Sequence, residues 1–224
     1  MGSREARERK QVYLAWAVAS ALALAVIVGI AVTRLWPSIG ALSVRNGAVV
    51  GLAEGDLVFN TGDRSHPRYF RVARAEPAED YHLAASVSFG GDENQRMLTF
   101  EKNSDVGTIA YTVMAAGGEY DVLPAETLPS IQGYLLNMQS TDIQSEELSG
   151  KRITWYAYTY DGSRPDTGEP DGTYASSLAA YVQGKKNLSV YVNLLSQASS
   201  PEEVADAEVL YAELAQILDK ITLG

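Results

Sequence analysis

Side chains able to do chemistry are sparse in this sequence, and their spacing narrows what that chemistry is. There is no cysteine, and the two histidines are His66 and His82. A thiol nucleophile, a disulfide, a thiolate zinc site and an iron–sulfur cluster are therefore excluded. Neither histidine has a second His or Cys at ligand spacing. His66 stands in the loop "RSHPR" and His82 opens a strand-like run on its polar side, so both read as solvated. Serines are many, yet no G-x-S-x-G elbow or S-x-x-K pair occurs. P-loop and G-x-G-x-x-G patterns are missing too. Carboxylates are plentiful, and two of them converging in a cleft would suit polysaccharide hydrolysis. Their spacing selects no such pair, and neither cofactor nor metal is expected.

Two clusters remain. The loop "DGSRPDTGEPDG" carries Asp161, Asp166, Glu169 and Asp171. A calcium loop needs oxygen ligands at alternating positions and a bidentate Glu at the twelfth. Here Pro165 interrupts the ligand series and the twelfth residue is Gly172, so a plain hairpin loop is the better reading. The second cluster is a row of tyrosines. In "RITWYAYTY", Ile153, Trp155 and Ala157 alternate with Tyr156, Tyr158 and Tyr160. The following runs add Tyr181 and Tyr191 to the same side. Tyrosine offers rigid contact area with a polar tip. Tyr156, Tyr158, Tyr181 and Tyr191 are the candidate partner-binding residues. A covered, purely structural tyrosine face is the competing reading.

The elements that would position these residues are short strands. "YFRVARA" starts at Tyr69, and "YHLAASVSF" alternates with Leu83, Ala85, Val87 and Phe89 on one face. "RMLTFEK" and "GTIAYTVMAA" follow, the latter with Ile109, Tyr111 and Val113 together. Such runs joined by turns indicate an antiparallel meander. Asn46-Gly47 marks a tight turn between apolar runs. In the 126–139 region Leu128, Ile131, Leu135 and Met138 recur at helical spacing. Strands are expected at about 152–160, 174–183 and 187–195, the last two joined across "QGKKN". A terminal helix is expected with Ser200 as N-cap, Pro201 at its first position and Glu203 completing a capping box. Its stripe is Val204, Ala207, Tyr211, Leu214, Leu218 and Ile221, which should cover the face bearing Ile153, Trp155, Leu178, Val182, Val190 and Val192.

The N-terminus reads differently. Residues 1–10 form a basic tail with Arg4, Arg7, Arg9 and Lys10. Gln11 to Thr33 then carries no charge, a span of about 34 Å as a helix against a bilayer core of roughly 30 Å. It is apolar all round, and Trp16 and Trp36 stand near its ends, where aromatic belts form. A cleaved signal peptide has a shorter apolar region, although Ser38 and Gly40 offer a cleavage option before Ala41. We expect a transmembrane signal anchor over residues 11–36, with the N-terminus cytoplasmic by the positive-inside rule. Residues 37–66 form a linker and first strands, and 67–224 an extracytoplasmic α+β domain. The expected fold class is an antiparallel sheet flanked by helices behind one transmembrane helix.

Formal net charge is −10, although the N-terminal tail is basic. The remainder is more acidic still and repels phosphate backbones, so no nucleic-acid partner is expected.

The element order resembles a known architecture. A β-meander, a helix near 126–139, "SEELSGKRITWYAYTYDG", two strands and a helix ending "ILDKITL" are similar to the PsbP/Mog1-like α/β/α sandwich over roughly residues 67–222. The "F-x-Y-P-x-x-W" opening frequent in such domains is absent here. The resemblance implies a non-enzymatic binding or assembly factor of bacterial surfaces; the anchor over residues 11–36 makes the membrane one expected partner, and an envelope protein is the other. A carboxylate-dependent hydrolase acting on envelope polysaccharide is the alternative.

Overall fold

The computed structural model describes residues 40–224 apart from 90, 105–106, 118–137, 141, 161–173 and 186. The expected transmembrane segment, most of the 126–139 helix and the acidic loop therefore lie outside the described residues. No helix among the described residues is long and apolar enough to cross a membrane.

Strand β1 (Val44–Arg45) pairs with β2 (Ala48–Val49) through the Asn46-Gly47 turn, at φ of 51° and 81°. Two successive positive φ values are what such a two-residue turn demands, and Asn-Gly supplies them most cheaply. β3 (Asp56–Asn60) and β4 (Tyr69–Ala75) follow, with a bulge between Leu57 and Val58. Next come β5 (His82–Phe89), β6 (Asp92–Ser104) and β7 (Gly107–Gly117). Beyond them are β8 (Met138–Ser140), β9 (Gln144–Leu148), β10 (Lys151–Tyr160), β11 (Tyr174–Gln183) and β12 (Leu188–Ala198). Helix α1 (Ala207–Asp219) and β13 (Ile221–Leu223) close the chain.

The large sheet runs β5-β6-β7-β12-β11-β10-β8, with β9 also paired to β10. All its pairings are antiparallel. A separate sheet runs β13-β4-β3. The segment from Leu42 to Gly224 forms one compact unit.

One face of the large sheet is apolar by strict alternation. Register places Ile153, Val182, Val190 and Ala115 in one row, and Ala157, Leu178, Leu194 and Tyr111 in another. All eight are buried. Helix α1 lies against β10, β11 and β12 and buries Leu210, Leu214, Ile217 and Leu218. The expected packing of terminal helix on aliphatic face is therefore present. The small sheet packs against β6, β7 and β12. There Phe59 sits so close over Gly117 that a Cβ on that residue would strike its ring.

Four local expectations need correction. The terminal helix does not start at Ser200. Pro201–Glu203 is a single 3-10 turn, Val204 is extended, and the Ser200 side chain makes no capping bond. Helix α1 begins at Ala207 under Asp206, whose carboxylate accepts the Val209 N–H at 2.9 Å. The break is held by buried Ser196, which accepts the Ala205 N–H. At the other end Ile221 leaves the stripe and joins β13, opposite Ala75. That strand gives its backbone groups a ladder partner on the edge of β4.

In β5 the ladder shifts register between Leu83 and Ala85. Leu83 pairs with Phe100 on the inner side, whereas Ala85 and Val87 pair with Thr99 and Met97 on the opposite face. One extra residue flips every side chain after it, so these positions do not share a face. The expected helix through 139 also ends too late, since Met138–Ser140 pair with Tyr158–Tyr160 of β10. Lastly, Trp155 is half-buried rather than a core residue. Its ring meets Tyr211 of α1 at 5.0 Å between centroids, and its indole N–H donates to Glu146.

Candidate functional site

Opposite α1, antiparallel register gathers the tyrosines. Thr154, Tyr181, Tyr191, Met114 and Met97 form one row across β10, β11, β12, β7 and β6. The next row is Tyr156, Ala179, Asn193, Thr112 and Thr99. Tyr158 stands opposite Ser177 in the row beyond. The four candidate tyrosines thus come from three adjacent strands and share one face. All four pack in a single cluster with Ala179 and Ile143. The small Ala179 side chain leaves the space the larger rings occupy.

Ring geometry is that of a packed aromatic patch. Tyr181 and Tyr191 lie 4.9 Å apart at 49°, and Tyr156 and Tyr158 lie 6.1 Å apart at 31°. Such pairs add about 0.5–1.5 kcal/mol beyond their burial. Exposure is uneven: Tyr156 is 7% exposed and Ala179 fully buried, while Tyr158, Tyr181 and Tyr191 are half-buried. Tyr156 is therefore a floor, and the other three form the accessible rim.

Polar partners tether the rim. Tyr191 donates to Asn193 Oδ1 at 3.4 Å, and Ser177 donates to the same oxygen and to the Leu194 carbonyl. Burial, then the nearby phenols of Tyr156, Tyr181 and Tyr158, pushes the Tyr191 pKa upward. Burial, then Tyr158, does the same to Tyr156. Both phenols stay protonated at neutral pH. Tyr156 and Tyr191 thus contribute aromatic area and neutral hydroxyls to the patch.

A second feature was not legible as a site in the sequence. The "NTGDRSHPR" loop and the "GDENQ" segment from Gly91 come together around a cleft of about 870 Å³ that includes Asn60, Asp63, Tyr69, Asp92 and Asn94. Asp92 accepts from Tyr69 at 2.7 Å, from Asn60, and from both nitrogens of Asn94. Asn94 in turn binds the Gly47 carbonyl and the Val49 N–H, pinning the β1–β2 hairpin to β6. Burial opposes ionisation of Asp92, but these donors outweigh it and lower its pKa. Asp63 is also lowered, by Ser65 and the His66 N–H. A hydrolase acting through two carboxylates needs one held protonated by a raised pKa. Neither of these two is raised, so they are poorly suited to serve as its general acid.

His66 is exposed beside Asp63, and His82 is exposed at the start of β5. Among the described residues no group of three His, Cys, Asp or Glu side chains is placed to hold a metal ion. Ser176 is buried with an unpartnered hydroxyl and lines a hollow of about 360 Å³ beside the start of α1. No family model matches this sequence, and no curated protein matches it.

Proposed function

We propose that this chain is a single-pass membrane protein of the bacterial cell envelope. Its N-terminus lies in the cytoplasm, and its C-terminal domain is an extracytoplasmic, non-catalytic interaction module. The observation that carries the reading is the uncharged stretch from Gln11 to Thr33 behind a basic tail. An apolar run of that length is long enough to span a bilayer, and the charge asymmetry orients it.

The tyrosine patch supports the interaction half of the proposal. Tyr158, Tyr181 and Tyr191 are half-buried on one face, around a buried floor of Tyr156 and Ala179. That is the composition of a contact surface with a preorganised centre. A PsbP/Mog1-like architecture belongs to the same proposal. The antiparallel sheet with α1 on one face is compatible with it, and residues 118–137, which the resemblance would make helical, lie outside the described residues. The alternative is the polysaccharide hydrolase, which would need a carboxylate other than Asp63 or Asp92 as its general acid.

Crosslinking in intact membranes followed by recovery of the tagged chain tests the interaction. A discrete partner should appear with the native chain and disappear with Tyr158→Ser/Tyr181→Ser, whose fold is checked by circular dichroism. No partner, or one indifferent to these changes, contradicts the assignment of the patch.

A further inference from the structure

Edge strands are hazards that folds normally blunt with charge, proline or shortness. Three edges here follow that rule. β8 and β13 are three residues each, and β9 carries Glu146 and Glu147. β5 does not follow it. It has eight residues, HLAASVSF, with no Asp, Glu, Lys, Arg or Pro. It is the terminal strand of the large sheet and, among the described residues, pairs only with β6. The bulge near Ala84 lies toward one end. Beyond it Ser86, Val87 and Ser88 are exposed, Val87 at 49%.

Both ends of this uncharged strand are acidic. Exposed Glu79 and Asp80 precede it, separated from His82 by buried Tyr81, and Glu101 of β6 stands opposite His82. At the other end Asp92 opens β6 opposite Phe89, its carboxylate held by Tyr69, Asn60 and Asn94, and Glu93 beside it is exposed. On β6, Lys102 is engaged by Glu213 of α1, leaving Arg96, opposite Ser88, as the cation near the edge. Antiparallel pairing of two copies through β5 would set the Glu79–Asp80 end of one against the Asp92–Glu93 end of the other. Like charges so placed disfavour that arrangement.

We propose that β5 is a β-augmentation site for an extended peptide segment of another protein. Its segment has an uncharged, alternating middle and basic residues at both ends. Backbone groups of β5 supply the ladder and side-chain alternation sets the register. The acidic ends select the flanking cations. Val87 continues the row of Met97, Met114 and Tyr191 but lies three strands from Tyr191, and the proposal does not rest on how the chain is anchored.

The full-length chain in neutral detergent tests it. The probe is a fluorescent peptide of alternating valine and threonine with two lysines at each end, and its counterpart has glutamates instead. The lysine-ended peptide should bind, more weakly as salt rises, and the glutamate-ended one should not. Val87→Lys should weaken binding about tenfold or more with an unchanged melting curve, while Val87→Thr retains it. Glu79→Lys/Asp80→Lys should also weaken it. Equal binding of both peptides, no binding, or indifference to Val87→Lys overturns the proposal. So does concentration-dependent dimerisation that Val87→Lys abolishes, because that would make a second copy the occupant.

Discussion

Lys102 on β6 donates to Glu213 on α1 at 2.6 Å, with both side chains nearly buried at 14% and 13% exposure. Tyr81 completes the arrangement. Its hydroxyl donates to the other Glu213 oxygen, and its ring lies 4.8 Å from the Lys102 ammonium. A charge pair this enclosed ties helix to sheet, and losing one member strands the other in a poorly solvated place. Glu213→Ala should therefore lower stability by about 3 kcal/mol. Lys102→Met/Glu213→Leu should recover much of that loss. Urea unfolding of the single and double variants provides the comparison.

Asp56 makes stability fall in acid. Burial of its carboxylate works against ionisation, but Arg74 and the Ala53 N–H donate to it, Arg71 pairs with it at 2.9 Å, and the net pKa is lowered. A carboxylate lowered in the folded state contributes stability that is fully present above its unfolded pKa of about 3.9. That contribution disappears as pH falls through the lower folded value. Melting temperature should thus drop below about pH 4. Asp56→Asn should be destabilised at neutral pH and lose part of that acid dependence. An identical acid profile in the variant would rule Asp56 out as a source.

The start of α1 gives a sharper local test. Asp206→Ala removes the cap on the Val209 N–H and should cost about 1 kcal/mol. Ser200→Ala removes no capping bond and should be close to neutral. A reversed order of effects would place the helix start where the sequence pattern suggested, at Ser200.

The floor of the tyrosine patch separates packing from binding. Tyr156→Ser should cost about 3 kcal/mol by the precedent of large aromatics truncated in a core. For a domain of this size that is a melting shift of roughly 6–12 °C. Tyr158→Ser, at the half-buried rim, should shift it far less. If both shifts are small, Tyr156 is not the floor described.

Much of the sheet was legible from the sequence because its strands alternate cleanly and end at strong turn signals. The run at 174–183 coincides with β11, and Asn46-Gly47 makes its turn. Face assignment succeeded for β10, β11 and β12, and with it the grouping of Tyr156, Tyr158, Tyr181 and Tyr191. It failed in β5, since a bulge leaves no mark on the apolar pattern yet inverts it. β9 was missed although Ser149-Gly150, both at positive φ, carries a hairpin signature into β10. The helix start was misplaced because Ser200, Pro201 and Glu203 satisfy a capping pattern locally. What overrides it is tertiary: Ser196, on a neighbouring strand, takes the Ala205 N–H. The polar cleft was hidden for a related reason, as Asn60, Tyr69 and Asp92 meet only once the two sheets are in place.

Alkaline carbonate extraction of membranes from cells making the full-length chain tests the proposed membrane anchor most directly. The protein should remain in the membrane pellet with the basic N-terminal tail intact. Release into the soluble fraction, or a mature N-terminus near Ala41, would contradict the anchored reading.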